Sequence, residues 1–168
     1  MKAIFERRSI RKYLDEQISK ENIELILKAG MSAPSAGNAQ PWQFIVLEDK
    51  NIVNRIPEIH PSSQMLKEAS HAIVVCGDMQ LKNKFVGELW IQDCSAATEN
   101  MLIMAQDLGL GAVWLGVYPM EEVVEGIKGF LNLPEHIVPF SIVSLGYPAE
   151  KKDILDRYDG ARVHWNQW

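Results

Sequence analysis

The longest periodic segment of the chain, from about residue 85 to residue 108, constrains the fold more than any other feature. Its apolar residues recur at intervals of three or four, which places them on one face of an α-helix. These residues are Val86, Trp90, Cys94, Ala97, Met101, Met104 and Leu108. Four further apolar residues widen the stripe: Leu89, Ile91, Leu102 and Ala105. We therefore predict a long helix that is buried on most sides, at the centre of the fold.

Shorter segments on both sides of this helix have the patterns of helices and strands. Helical patterns cover residues 2–8, 20–29, 50–56 and 120–130. Strand patterns cover residues 42–47, 72–76, 112–117 and 137–147. Ser19 is predicted to cap the second helix and Gly30 to end it, while Pro139 disfavours central strand pairing at its own position. The strands are few and do not alternate strictly with helices, which favours an α+β layered domain over a doubly wound sheet.

The composition is that of one soluble globular domain, predicted to span residues 1–168 without repeats or linkers. No apolar run approaches the roughly 18 residues that cross a bilayer, and the N-terminus lacks the apolar core of a secretory signal. A formal net charge of -5 argues against general nucleic-acid binding. Cys76 and Cys94 lie in apolar segments without a C-x-x-C pattern, so we predict reduced, buried thiols and a cytoplasmic protein.

A basic cluster near the N-terminus reverses the acidic balance of the chain. Five of the first twelve residues are basic and one, Glu6, is acidic; the bases are Lys2, Arg7, Arg8, Arg11 and Lys12. Guanidinium groups hold phosphate and carboxylate in bidentate geometry, and the Ser9 hydroxyl could add a donor between them. A solvated basic tail, or cations that offset a helix dipole, would explain the same cluster.

Residues 31–41 combine Pro, Ser, Gly, Asn and Gln with few charges, which predicts a loop. Small residues let a backbone approach a ligand or another chain closely. The C-terminal tail, residues 151–168, is polar but carries Trp165 and Trp168. Because large aromatic residues rarely end a flexible tail, we expect this tail to pack across a partner subunit.

Three glycines follow the central helix, but they do not form a dinucleotide-binding loop. Gly109 and Gly111 come after a helix and before a strand, which is the reverse of the Rossmann order, and they are predicted to end the helix. Gly116 lies at the carboxyl end of a strand, where its backbone N–H could point at a ligand. The four histidines have no spacing that suits a metal, so no metal site is predicted.

The sequence thus contains hydrogen-bond donors that could bind an anion, and a small-residue loop. It shows no nucleophile–base pair and no metal cluster. An enzyme of this kind takes its chemistry from a cofactor. The arginines require a phosphate, and the loop and backbone donors suit a flat polar ring. FMN meets both requirements.

Four segments together resemble the FMN-dependent nitroreductase family and occur in the family's order. They are residues 7–13 (RRSIRKY), 33–42 (APSAGNAQPW), 90–100 (WIQDCSAATEN) and 109–116 (GLGAVWLG). The resemblance implies an α+β sandwich with a long central helix, in an intertwined homodimer with FMN at the subunit interface. This chain resembles a compact member, because few residues separate Cys76 from the central helix. Longer members insert there a helix that covers the substrate pocket.

The resemblance also implies a set of cofactor-binding residues. Arg7, Arg8 and Ser9 would contact the FMN phosphate and ribityl chain, with Arg157, or less favourably Arg162, on the phosphate. Arg11 would lie near flavin N1 and O2. The ring would be contacted by Pro34, Ser35 and Ala36 of the other subunit. Asn38 would face its polar edge, where Gln64 is a further candidate, and Leu115 and Gly116 would hold the N5 side.

The implied activity is reduction of nitroaromatics, quinones or activated enones by NADH or NADPH in ping-pong fashion. Flavin N5 would carry the chemistry, so no side chain is assigned as catalytic. Dehalogenation, flavin fragmentation or dehydrogenation on the same fold stays open as an alternative. So does a non-catalytic flavin-binding module, and the plainest alternative is a basic-tailed interaction domain.

Overall fold

A computed structural model describes residues 2–82 and 87–168 of the chain. Four strands form one antiparallel sheet in the order β1-β2-β4-β3. The strands are β1 (Trp42–Leu47), β2 (His71–Asp78), β3 (Gly111–Gly116) and β4 (Ile137–Gly146). All four strand predictions overlap the observed strands, and an α+β architecture is confirmed.

Six α-helices accompany the sheet in the described part of the chain. They are α1 (Lys2–Glu6), α2 (Lys20–Met31), α3 (Lys50–Val53), α4 (Ile56–Ile59), α5 (Leu89–Asp107) and α6 (Glu121–Phe130). Short 3-10 helices cover Ala36–Asn38, Pro61–Lys67 and Gly160–Arg162. No helix among residues 2–82 and 87–168 is both long and apolar enough to cross a membrane.

Helix α5 lies at the centre of the fold, as the periodicity predicts. Trp90, Cys94, Ala97 and Met101 are buried along it, and they pack against α2 and one face of the sheet. Phe85 and Val86, where the helix was predicted to begin, lie outside the described residues. The observed helix begins at Leu89 and its last turn is followed by Gly109, whose φ of 73° ends it as predicted.

The strands of the sheet bury alternate residues on two opposite faces. Ile73 and Val75 of β2 join the cluster of α5 and α2, whereas Ala72 and Val74 join a second cluster with α3, α4 and α6. A period of two places successive side chains on opposite faces of a strand, and β2 is fully buried because both faces are covered. The domain is therefore layered, with helices on each side of the sheet.

Gly30 does not end α2, which is a correction to the sequence prediction. The helix continues to Met31, and the backbone N–H of Ser32 closes its last turn. A Cβ at Gly30 would lie 2.9 Å from Met101 Cγ, so the glycine allows α2 to approach α5 closely. The Ser19 cap is confirmed, because its Oγ accepts a hydrogen bond from the backbone N–H of Asn22.

Two further boundaries differ in detail from the prediction. The segment 50–56 forms parts of two short helices, α3 and α4, instead of one. Pro139 does lie in central strand β4, but at an irregularity in the ladder. Val75 pairs with Ser141 and Cys76 with Pro139, so Phe140 has no partner on β2. Such a bulge accommodates a residue that lacks an N–H donor.

Candidate functional site

The basic segment near the N-terminus is held firmly against the edge of the sheet. Ser9 bridges to Ala112 of β3, and the backbone N–H of Ile10 donates to the Ala112 carbonyl at 3.0 Å. The Tyr13 hydroxyl donates to the Ile10 carbonyl at 2.8 Å. Ile10 and Tyr13 are buried, and burial raises the pKa of Tyr13 above its usual value. These two anchors fix the backbone, so Arg11 and Lys12, which lie between them, have fixed Cα positions.

A cavity of about 420 Å³ opens between this segment and the C-terminal tail. The N-terminal segment contributes Arg8, Ser9 and Arg11 to its lining. The tail contributes Lys152, Asp153, Leu155 and Arg157. The structure therefore brings four of the residues predicted to bind a phosphate or the flavin together in one place, although 146 residues separate Arg11 from Arg157.

Donors around this cavity are available to an anion. Among the described residues, the guanidinium groups of Arg11 and Arg157 donate to no acceptor, and the Ser9 hydroxyl is likewise unpaired. Lys152 Nζ lies 2.6 Å from the Ser9 carbonyl and 3.4 Å from Glu150 Oε1. Arginine forks and a hydroxyl are the donor set that binds a phosphate group.

Arg7 and Arg8 are engaged with the protein itself. Arg7 Nε lies 3.2 Å from Glu99 Oε1 on α5. Arg8 Nε donates to the Asp153 carbonyl at 2.8 Å, and its other nitrogens contact further backbone carbonyls. In this arrangement Arg8 fastens the tail beside the cavity. The assignment of both arginines to the cofactor phosphate stays a prediction.

Glu150 is a component of this region that the sequence did not reveal. Its Oε1 accepts a hydrogen bond from the Arg11 backbone N–H at 2.6 Å. That hydrogen bond and, to a smaller extent, Lys152 hold the pKa of Glu150 below its usual value. Glu150 therefore fixes the backbone from which the Arg11 side chain enters the cavity. A single glutamate after a strand carries no local signal for such a role.

The small-residue loop forms a tight structure of its own. Ser35 Oγ accepts from the Gln40 backbone N–H at 3.0 Å, and Gln40 Nε2 donates to Asn38 Oδ1 at 2.9 Å. The backbone N–H of Ala36 donates to Asp93 Oδ1 at 2.9 Å, which ties the loop to α5. Asp93 precedes Glu99 by six residues, or about 9 Å along the helix axis. Pro34, Ser35, Ala36 and Asn38 are thus held on a different stretch of α5 from Arg7.

The end of β3 presents an open backbone site. Leu115 is buried, whereas Gly116 is exposed, and a Cβ added to Gly116 would meet nothing within 4 Å. His60 Nε2 lies 2.8 Å from the Gly116 carbonyl, and only 6% of His60 is exposed. No local pattern around His60 indicates this contact. Gln64 folds back, because its Nε2 donates to the Pro61 carbonyl at 3.1 Å.

The two cysteines are structural. Both are free and buried, as predicted, and burial raises the pKa of each thiol to about 12. Each thiol is therefore protonated near neutral pH and is a poor nucleophile. Among residues 2–82 and 87–168, no three His, Cys, Asp or Glu side chains gather in a way that could hold a metal ion.

The α+β sandwich agrees with the class of protein that sequence comparison identifies. The model of the nitroreductase family matches residues 4–88 and 58–147. The chain therefore belongs to the nitroreductase family.

Individual relatives cover nearly the whole chain. It is 53% identical to a protein of Archaeoglobus fulgidus that bears the provisional name NADH dehydrogenase/NAD(P)H nitroreductase, over 100% of this chain and 98% of that protein. A solved structure from Clostridium acetobutylicum, provisionally an NADH oxidase, has 44% identity and a TM-score of 0.94, with 99% of each chain covered. An FMN-dependent nitroreductase of Clostridium difficile R20291 has 31% identity, a TM-score of 0.91 and full coverage of both chains.

Proposed function

We propose that this protein is an FMN-dependent oxidoreductase that uses NADH or NADPH to reduce electron-poor acceptors. The observation that carries the proposal is the cavity between the N-terminal segment and the tail, where Ser9, Arg11 and Arg157 present unpaired donors among the described residues. Family membership and the FMN dependence named for the C. difficile relative support the same conclusion.

The residues present fit FMN at its phosphate end. Arg157 supplies a guanidinium fork, and Ser9 supplies a hydroxyl next to the backbone anchor at Ile10. Arg8 holds the tail in place by donating to its carbonyls, and so keeps Arg157 at the cavity. A phosphate would offset the concentration of positive charge at this point of an acidic chain.

At the ring end, FMN when bound supplies an atom, N5, that accepts hydride from a nicotinamide and passes electrons to an acceptor. The chain's part is to bind and orient that ring. Gly116 leaves open space at the end of β3, and Leu115 packs below it in the core. Arg11 supplies positive charge toward the N1 and O2 edge. Asn38 and the loop around Ser35 supply polar contacts.

We further propose that two copies of the chain build each site. Pro34, Ser35 and Ala36 would come from the partner subunit, since in one chain their loop is held on a separate stretch of α5. The tail, residues 151–168, is almost wholly exposed in the single chain, with Trp165 84% exposed and Trp168 fully so. An apolar surface of this kind is typical of an interface, so we assign the tail to the partner.

Because one face of the ring would serve both the nicotinamide and the acceptor, we expect ping-pong kinetics with nitroaromatics, quinones or activated enones. No side chain is needed as a catalytic acid or base. The buried free thiols suit the reducing conditions of a cytoplasm.

The visible absorption spectrum of the purified protein tests this proposal. We expect flavin absorption bands, either as purified or after addition of FMN, and we expect NADH or NADPH to bleach them in the absence of oxygen. Addition of a quinone should then restore the oxidised spectrum.

The possible outcomes separate the alternatives. A flavin that neither nicotinamide reduces would exclude the proposed donors and favour a non-catalytic flavin-binding module. A protein that stays colourless with added FMN would show that the Arg-lined cavity serves another anion.

A further inference from the structure

Asp93 is a buried carboxylate that the proposed chemistry does not use. Only 5% of its surface is exposed. Its Oδ1 accepts the hydrogen bond from the Ala36 backbone N–H, but its Oδ2 is buried and has no hydrogen-bond partner in the described part of the chain. Burying a carboxylate with one oxygen unpaired is costly, so a purely structural role would be served better by an apolar residue.

The loop to which Asp93 is tied has an unfavourable backbone conformation. Gly37, Asn38 and Gln40 have φ values of 58°, 55° and 47°. Residues other than glycine rarely adopt this left-handed region, and they do so where surrounding contacts enforce it. Hydrogen bonds inside the loop supply part of that enforcement, and the bond from Ala36 to Asp93 supplies a link to the rigid central helix.

We propose that Asp93 is a positioning residue for the flavin ring, which acts by holding the Ala36 backbone and thereby the loop that contacts the cofactor. This inference rests on the proposed FMN-binding function. The role is hydrogen-bond acceptance by Oδ1. It does not require the negative charge, because no described donor meets Oδ2.

Three variants of the full chain separate this role from general stabilisation. Asp93→Ala removes the acceptor. Asp93→Asn keeps an oxygen for the Ala36 N–H and replaces the unpaired Oδ2 with an amide nitrogen. Thr98→Val is the matched control on the same helix, because Thr98 is buried and its Oγ1 donates to the Cys94 carbonyl at 2.7 Å without contacting the loop.

The measurement is the Kd of each apoprotein for FMN, read from the quenching of flavin fluorescence, with thermal unfolding of each apoprotein recorded beside it. Loss of the hydrogen bond that holds the Ala36 backbone on α5 is expected to raise the Kd of Asp93→Ala about tenfold. Asp93→Asn and Thr98→Val should stay within about threefold of the wild type, since neither removes the acceptor of the Ala36 N–H.

Several outcomes would overturn the inference. One is an Asp93→Ala protein that binds FMN as tightly as the wild type. Another is an Asp93→Asn protein as weak as Asp93→Ala, because the charge would then matter instead of the hydrogen bond. A Thr98→Val protein as weak as Asp93→Ala would reduce the effect to general destabilisation. A wild-type protein that does not bind FMN would contradict the proposed function itself, which is a different result.

If Asp93→Ala does not fold, Ala36→Pro takes its place. Proline removes the donor from the other side of the same hydrogen bond and is tolerated at the first position of a helix, which Ala36 occupies. A raised Kd for FMN would support the inference, and an unchanged Kd would contradict it.

Discussion

The guanidinium of Arg157 lines the cavity from a tail segment with few anchors in its own chain. The side chain makes no hydrogen bond or ion pair with any described residue, so its removal disturbs little besides the cavity. We predict that Arg157→Ala raises the Kd for FMN about tenfold or more, since it removes charge-assisted hydrogen bonds. Fluorescence quenching of titrated FMN measures this change.

Arg162 provides the matched control, since it lies five residues further along the same tail. It is exposed, and its Nε lies 3.1 Å from Asp159 Oδ2. Arg162→Ala should leave the Kd for FMN unchanged. An equal loss of FMN affinity in both variants would indicate a general electrostatic effect of the tail. A loss of affinity in Arg162→Ala alone would indicate that Arg162, and not Arg157, contacts the phosphate.

At the scale of single residues, the sequence revealed those that stand out from their neighbours in the chain by charge or composition. The basic cluster around Arg8 and Arg11 reverses the sign of the chain, and the structure places both beside Arg157 in one cavity. Asp93 and His60 could not be found this way. Asp93 contacts a backbone group 57 residues away, and His60 contacts one 56 residues away. Because every residue has these backbone groups, the sequence does not indicate which of them a distant side chain will contact.

The close packing of α2 on α5 requires a residue without a side chain at Gly30, and a pair of glycine substitutions tests this requirement. At Gly30 a Cβ would lie 2.9 Å from Met101 Cγ and 3.3 Å from Phe44 Cζ, whereas at exposed Gly129 in α6 it would meet nothing within 4 Å. We predict that Gly129→Ala stabilises the protein by about 0.5–1 kcal/mol through helix propensity. Gly30→Ala should destabilise it by about 1–2 kcal/mol, because overpacking exceeds that gain.

Urea unfolding followed by far-UV circular dichroism measures both changes, at one fixed protein concentration because association would affect apparent stability. A Gly30→Ala protein as stable as Gly129→Ala would show that Met101 moves aside freely and that the close approach of the helices is not needed.

The same glycine explains why element boundaries were harder to predict than the elements themselves. Local propensity favours a helix end at Gly30, since glycine costs about 1 kcal/mol inside a helix. Contact with Met101, which is 71 residues away, outweighs that preference. The periodicity of α5, by contrast, repeats over five turns, so its helical character did not depend on any single contact.

On the scale of the whole molecule, the sequence predicted the α+β class but not the order of the strands. Strands β2 and β4 pair at the centre of the sheet although α5, β3 and α6 separate them in the chain. Strand order depends on long-range packing that a periodic pattern does not encode. The proposed dimer is a further level of organisation, because the loop around Ala36 and the cavity around Arg157 are held on different parts of one chain.

Complementation between two variants tests that shared site. Arg157→Ala damages the cavity, and Ala36→Trp places an indole in the loop. If each site takes its cavity from one chain and its loop from the partner, a heterodimer of the two variants has one site with both lesions and one with neither. We predict about one FMN per heterodimer, and little FMN on either homodimer. Co-expression with two different affinity tags isolates the heterodimer for flavin quantification.

Once each substitution weakens binding enough to leave its own homodimer with little FMN, the FMN content of the heterodimer depends only on which chains build each site. If both parts of the site belong to one chain, each site of the heterodimer carries one lesion, and the heterodimer should bind no more FMN than the homodimers. Failure to recover any heterodimer, while each variant alone is folded, would contradict the proposed interface. A stoichiometry near one is the result that requires the loop and the cavity to meet across two subunits.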